Sequence, residues 1–273
     1  MNRAYLFYFP YIYTLLTRIY VNGRVSSYYL TDFIILLPTI LFHSRSISEI
    51  ASQFYISQVL LALVASVAMA YLYYEGLYVL NDVIASQRED LPTFRGPRIK
   101  ADIAIGLRWM LFTLLSYILW QHGILRLPLV VVYVVMLLSI IGLAHNLQRR
   151  KLMRTPTHAL MRVLRWILIT AFYVNFIGTT LREFAELSKD VLMCLLPHIV
   201  YVELGYFTYN LEKLGLNVPK VRQPLLYSYG IWIPLLWLLL SNPVLQLTGY
   251  FALVIISIIK NVKMWLRATG GLV

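Results

Sequence analysis

Long runs without a charged residue divide this chain into segments of membrane-spanning length. Such runs cover residues 50–74, 109–125, 127–148, 166–181 and 223–259. A helix needs about 20 apolar residues to cross the hydrocarbon layer, and the last run is long enough for two crossings. Because 60% of the 273 residues are hydrophobic and only 13% are charged, the chain has more apolar surface than a soluble domain could bury. The sequence predicts a polytopic membrane protein.

Two shorter apolar runs, near residues 33–44 and 191–211, bring the expected number of transmembrane helices to about eight. The predicted fold class is therefore all-α. Residues 4–17 are too short for a crossing, and their Tyr and Phe content favours an N-terminal interfacial helix. We expect no removable signal peptide there, because no apolar core is followed by a small-residue cleavage pattern. Cys194 is the single cysteine, which excludes an intramolecular disulfide.

The net charge of +12 is explained by topology and gives no indication of nucleic-acid binding. Cations concentrate in alternate loops, whereas the loops between them are poor in cations or mixed in sign. The basic groups are Arg88, Arg95, Arg98 and Lys100; Arg149, Arg150, Lys151 and Arg154; Lys213, Lys220 and Arg222; and Lys260, Lys263 and Arg267. The positive-inside rule then places both termini and all the basic loops on the cytoplasmic side, with the plasma membrane as the expected location.

The predicted spans follow the same order twice along the chain. Spans near 28–43 and 53–80, a basic loop, and a tight hairpin of spans 103–121 and 126–147 form the first set. Spans near 160–181 and 189–210, a basic loop at 212–222, and a hairpin of spans 223–241 and 244–260 form the second.

We therefore expect one integral membrane domain, with an interfacial segment at 1–27 and four-helix halves at 28–147 and 148–273. Asn81 and Asn210 occupy matching positions, and polar groups at repeat interfaces often bind ligands in membrane proteins.

Asn81-Asp82, followed by Glu89-Asp90, lies where a long uncharged run enters an Arg-rich loop. The string from Asn81 to Pro92 resembles the first aspartate-rich motif of the UbiA-type intramembrane prenyltransferases, Asn-Asp-x-x-Asp-x-x-x-Asp. Residues 145–152 resemble, more loosely, the basic segment between the fourth and fifth helices of that family. The specific motif covers about a dozen residues, although the helix order matches over most of the chain.

The resemblance implies a Mg²⁺-assisted prenyl transfer from an isoprenoid diphosphate, held in an apolar tunnel between helices, to a small or lipid acceptor. Helical spacing of i, i+4 and i+8 lines oxygen ligands along one face, which suits Mg²⁺. The implied roles are metal binding by Asn81, Glu89, Asp90 and Glu212; catalysis by Asp82 and Glu203; and substrate binding by Arg88, Arg95, Arg98, Lys100, Lys213, Lys220, Tyr78, Tyr209 and Asn210.

This chain departs from the family pattern at both motifs. Ala85 stands at the middle carboxylate of the first motif, and the register shifted by one residue has Ser86 there. The second motif normally has two Asp residues, whereas Asn210, Glu212 and Lys213 stand at its expected place. Fewer carboxylates would hold one metal ion more readily than two, with cations supplying the remaining neutralisation and reducing the dependence on metal.

Two interpretations of different class therefore remain. The first is an enzyme that transfers a polyprenyl group. The second is a catalytically inactive subunit of the same fold that binds lipid or isoprenoid and associates with partner proteins. Glu75 and Glu203 lie inside predicted spans, where an acid usually faces the protein interior and has a partner, so both a structural and a functional role stay open for them. The clustered tyrosines before Asn81 serve either as interface anchors or as a shield for an allylic cation.

Overall fold

A computed structural model describes residues 8–14, 53–88, 100–147, 154–177, 180–189 and 191–192 of the chain. All regular secondary structure in these ranges is helical, which confirms the predicted all-α class for the described part. The count of eight transmembrane helices stays a prediction, because the remaining predicted spans lie outside the described residues.

The described residues include the helices α1 (Ile12–Thr14), α2 (Gln53–Arg88), α3 (Ala101–Gln121), α4 (Pro128–Leu147) and α5 (Arg154–Ile177). The last four each contain a segment long and apolar enough to cross a membrane, namely Ile56–Ile84, Ala101–Gln121, Pro128–Leu147 and Pro156–Ile177. The chain is accordingly a multi-pass membrane protein.

The predicted spans agree closely with α3 and α4 and differ at α2 and α5. Helix α2 continues to Arg88, eight residues past the predicted end at 80, so Asn81 and Asp82 lie within the helix. Helix α5 ends at Ile177, and residues 181–189 form a new helical segment. Thr180 starts this segment with a capping box, since its N–H donates to Glu183 Oε2 at 2.7 Å and Glu183 N–H donates to Thr180 Oγ1 at 3.3 Å.

The connection between α3 and α4 is a tight turn that local sequence explains. Gly123 has a φ of 69° and follows the last turn of α3. The N–H of Gly123 donates to the Trp120 carbonyl and that of Ile124 to the Leu119 carbonyl, which is a Schellman motif. Pro128 then opens α4, where its missing N–H costs nothing. The two helices therefore run antiparallel, as the hairpin prediction stated.

Side-chain contacts fix the direction of α2 relative to its neighbours. Tyr73 of α2 packs against Phe112 of α3 with ring centroids 5.2 Å apart, and Val79 packs in a cluster with Ala104, so α2 and α3 are antiparallel. The Tyr73 hydroxyl donates to Ser139 Oγ of α4. Because Leu77 then meets Gly142 further along both helices, α2 and α4 are parallel.

Glycines allow α2 to approach both neighbours closely. A Cβ built on Gly76 would lie 2.5 Å from Trp109 Nε1, and one built on Gly142 would lie 3.0 Å from Leu77 Cδ2. Trp109 lies across this gap, stacks on Tyr73 with centroids 5.7 Å apart, and donates its indole N–H to the Tyr73 carbonyl. Close approach through small residues is how membrane helices gain packing energy in the absence of a hydrophobic driving force.

The outward faces of α3 and α4 are apolar and exposed, as a lipid-facing surface requires. Their exposed side chains include Leu114, Tyr117, Leu129, Tyr133, Met136 and Ile140. Tyr117 and Trp120 pack edge to face near the end of α3, where aromatic rings suit the membrane interface.

The contacts discussed below all lie within one compact unit, formed by Met1–Val25 and Leu61–Ala185. A second unit comprises Ser26–Leu60 and Glu186–Val273, most of which lies outside the described residues. The duplicated layout, with Asn81 and Asn210 at matching positions, therefore stays a prediction.

Candidate functional site

Helices α2 and α4 end, and α3 and α5 begin, at the same end of the bundle. We call this the Asp82 end, after the acid that lies there. Asn81 and Asp82 are half-buried on the last three turns of α2, close to the limit of its apolar segment at Ile84. The two residues therefore lie partly covered near the end of a segment that is long and apolar enough to cross a membrane.

The N-terminal segment, residues 8–14, packs along α2 from Ala68 to Asp82, a length of about 21 Å at 1.5 Å per residue. Within residues 8–14 a bend and a turn precede the helical residues Ile12–Thr14, whereas the sequence predicted an interfacial helix over 4–17, the rest of which lies outside the described residues. Tyr11 has a φ of 66°, an uncommon conformation for a residue with a Cβ. Its N–H donates to Glu75 Oε2 at 2.6 Å, so contacts with α2 hold the backbone in this conformation.

Burial and the Glu75 carboxylate raise the pKa of Tyr11 to about 12. The Tyr11 hydroxyl therefore keeps its proton at neutral pH and donates to the carbonyl of Ala68 at 2.8 Å. Polar atoms of this irregular segment are in this way satisfied by α2, which non-helical backbone in a membrane protein requires.

A fully buried ion pair joins α2, α3 and the N-terminal segment. Arg108 Nε donates to Glu75 Oε2 at 2.9 Å, and neither side chain is exposed. The remaining guanidinium nitrogens donate to the carbonyls of Ala104, Tyr8 and Phe9 at 2.8, 3.2 and 2.9 Å. Two roles were left open for Glu75, and these contacts describe the structural one. Glu75 is the counter-ion of Arg108.

The Asp82 carboxylate is already engaged by the protein. Tyr13, which is buried, donates its hydroxyl to Asp82 Oδ2 at 2.6 Å, and Arg108 lies 5.9 Å from the centre of the Tyr13 ring. A ligand of Asp82 would therefore either share this carboxylate with Tyr13 or displace the hydroxyl. The sequence motif gave no indication of this contact across 69 residues.

Three further predicted site residues, Arg88, Lys100 and Tyr78, lie at this end. Arg88 is the last residue of α2, two turns beyond Asn81 on the same helix. Lys100 precedes α3 with an exposed side chain, and its backbone N–H donates to the Tyr8 hydroxyl at 3.1 Å. Tyr78 is half-buried and packs edge to face on Tyr74, with centroids 4.9 Å apart.

The tyrosines before Asn81 surround a cation of the protein itself. Arg165 of α5 is 2% exposed, and its guanidinium carbon lies 5.1 Å from the ring centres of both Tyr71 and Tyr74. It also lies 5.8 Å from the centre of the Trp166 ring. These rings stabilise a buried arginine within the span, a use of cation–π contact that neither sequence interpretation included.

Helices α4 and α5 are joined at the Asp82 end by a polar contact. Thr157 donates its hydroxyl to the Arg154 carbonyl, so its oxygen accepts from His145 Nδ1 at 2.9 Å. This fixes the proton of a neutral His145 on Nδ1. The next residue, Asn146, is 2% exposed and donates from Nδ2 to the Gly142 carbonyl at 2.9 Å.

The remaining predicted site residues all lie outside the described part of the chain. These are Glu89, Asp90, Arg95, Arg98, Glu203, Tyr209, Asn210, Glu212, Lys213 and Lys220. Within the described ranges the structure brings together Asn81, Asp82 and Tyr78 on α2 with the backbone of Lys100 nearby.

Sequence reasoning missed Tyr13, Arg108 and Asn146 at this end. The pairing of Arg108 could have been predicted from the sequence. A cation within the predicted span 103–121 needs an acidic partner, and Glu75 is an acid within another span. No sequence pattern indicated Tyr13, because its contact with Asp82 depends on the backbone turn at Tyr11. Asn146 belongs to the basic stretch 145–152, whose likeness to the family was loose.

Asn81 and Asp82 are the described residues of the first motif that could hold a metal ion. No group of three His, Cys, Asp or Glu side chains converges within the described ranges. Amide oxygens with one carboxylate nevertheless fit Mg²⁺, which usually binds one or two carboxylates together with substrate phosphate and water. The chain matches no protein-family model, no curated protein and no solved structure.

Proposed function

We propose that this protein is a UbiA-like intramembrane prenyltransferase that binds an isoprenoid diphosphate at the Asp82 end of its helix bundle. The observation that carries the proposal is the location of Asn81 and Asp82 on one continuous helix, half-buried near the end of its apolar segment. Polar groups at this depth are costly to desolvate and are retained mainly where they bind partners or ligands. The basic loops and this end of the bundle would face the cytoplasm of the cell.

In this proposal the chain's own residues bind and orient the donor. The Asn81 amide and the Asp82 carboxylate would hold one Mg²⁺, and this ion would neutralise part of the phosphate charge. Arg88 and the cations that follow it along the chain bind the remaining phosphate oxygens, and the apolar helix faces accommodate the tail. The carbon–oxygen bond to diphosphate breaks, diphosphate leaves with the electron pair, and the acceptor bonds the allylic carbon and releases a proton.

Replacement of Asn81 by Ala is expected to reduce prenyl transfer by at least about 100-fold, because the barrier rises when the donor loses an anchoring ligand. The measurement is turnover of geranylgeranyl diphosphate with a membrane lipid fraction as the acceptor source. Gln121→Ala is the matched control, because Gln121 is an exposed amide at the end of α3 away from the Asp82 end. Full turnover in a folded Asn81→Ala variant would overturn the assignment of this residue.

The second candidate is an inactive subunit that binds lipid or isoprenoid within a membrane complex. It is favoured by the engagement of Asp82 with Tyr13 and of Glu75 with Arg108, which commits both carboxylates to contacts within the protein. Absence of turnover, combined with co-purification of a partner protein in a fixed ratio, would support this candidate over the enzyme.

A further inference from the structure

Asn146 contributes a buried oxygen to the Asp82 end whose hydrogen-bonding capacity is not used. Its side chain is 2% exposed, and its Oδ1 accepts from no donor within the described residues. The amide orientation is determined by the bond from Nδ2 to the Gly142 carbonyl at 2.9 Å. If the amide were rotated by half a turn, Oδ1 would face the Gly142 carbonyl oxygen, and neither of these two acceptors has a proton to donate. The unsatisfied atom is therefore the oxygen.

A second buried asparagine of the same bundle shows what is missing at Asn146. Asn175 of α5 is also 2% exposed and also donates from Nδ2 to the carbonyl four residues earlier, that of Ala171. Its Oδ1, however, accepts the N–H of Leu127 at 2.6 Å and so ties the α3–α4 turn to α5. The two side chains therefore match in burial and orientation, and they differ in whether the oxygen has a donor.

The helix geometry places Asn146 beside the candidate site. Positions 135, 139, 142 and 146 form one stripe of α4, and this stripe faces α2 through the contacts of Tyr73 with Ser139 and of Leu77 with Gly142. Since α2 and α4 are parallel, one further turn on each brings Asn146 level with Asn81. Asn146 therefore lies on the α2-facing stripe of α4, at the depth of the motif.

We infer that the Asn146 amide oxygen is a ligand of the Mg²⁺ that accompanies the diphosphate, opposite Asn81. A buried carbonyl oxygen is a hard ligand of the kind that Mg²⁺ prefers. It takes the place of a carboxylate that the first motif lacks at Ala85, from a different helix. This inference depends on the proposed function, because it names a further residue of the same diphosphate site.

The test compares Asn146→Leu with Asn175→Leu, using calorimetric binding of geranylgeranyl diphosphate with and without Mg²⁺ and the unfolding temperature of the free protein. Asn146→Leu is expected to weaken Mg²⁺-dependent binding by about ten-fold. It should leave the unfolding temperature unchanged or raised, because it removes an unsatisfied oxygen. Asn175→Leu is expected to lower the unfolding temperature, because the Leu127 N–H loses its acceptor, and to leave the affinity unchanged.

An Asn146→Asp variant, which adds a charge at the same oxygen, is expected to tighten Mg²⁺-dependent binding. Unchanged affinity in both Asn146 variants, with wild-type binding intact, would overturn the inference and leave the proposed function standing. Absence of any Mg²⁺-dependent binding in the wild type would overturn both.

Discussion

Replacement of Arg108 by Met is expected to lower the free energy of unfolding by about 3–5 kcal/mol, the usual cost of removing one partner from a buried ion pair. The substitution would leave the Glu75 carboxylate in a fully buried site without its guanidinium. It would also remove the donors that satisfy the carbonyls of Tyr8 and Phe9. The measurement is thermal or denaturant unfolding of the purified protein in detergent.

The same substitution should release the N-terminal segment, which hydrogen exchange at residues 8–14 would report as faster exchange. The double variant Glu75→Gln with Arg108→Met removes both charges and keeps an acceptor for the Tyr11 N–H, so it should be more stable than Arg108→Met alone. Arg126→Met is the control at an exposed arginine and should cost less than about 1 kcal/mol. A loss below about 1 kcal/mol in Arg108→Met would contradict the structural role of the pair.

Replacement of Gly76 by Leu is expected to destabilise the protein by about 3 kcal/mol, at the upper end of overpacking costs. Even a Cβ at this position would lie 2.5 Å from the indole nitrogen of Trp109, so the ring would have to leave its stack on Tyr73. The indole would then lose its bond to the Tyr73 carbonyl as well. Unfolding in detergent and the near-ultraviolet signal of the tryptophans would measure the change.

Gly106→Leu is the matched control on the neighbouring helix, because no atom lies within 4 Å of a Cβ built there. It is expected to be neutral or mildly stabilising, since leucine is the better helix former. Adding Trp109→Ala to Gly76→Leu should recover part of the loss by making room for the new side chain. Equal stability of the two glycine variants would show that α2 and α3 do not depend on this close contact.

The sequence predicted helix positions well where apolar runs have clear limits. Helix α3 was expected at 103–121 and α4 at 126–147, and both agree within two residues at each end. Helix α2 was underestimated because polar residues from Asn81 to Arg88 look like the end of a span, although hydropathy says nothing about whether a helix continues into water. The predicted span 160–181 runs past Ile177 into the segment that the Thr180 capping box starts, and such a box is a local signal that hydropathy does not contain.

The candidate site was predictable only in part, because its contacts join residues that are distant along the chain. Asn81 and Asp82 could be selected from their spacing and position, but the partner of Asp82 is Tyr13, at a separation of 69 residues. Glu75 and Arg108 are separated by 33 residues, and only the cost of an unpaired charge in a membrane suggested that such a pair should exist. Asn146 depended on the parallel register of α2 and α4, which loop lengths alone do not determine.

The most direct test of the central claim is calorimetric titration of the purified wild-type protein with geranylgeranyl diphosphate, in the presence of Mg²⁺ and in its absence. We expect saturable binding in the micromolar range with Mg²⁺, at least about ten-fold tighter than binding without it. Asn81→Ala should abolish that difference. The absence of saturable binding under both conditions would contradict the claim that the Asp82 end holds an isoprenoid diphosphate.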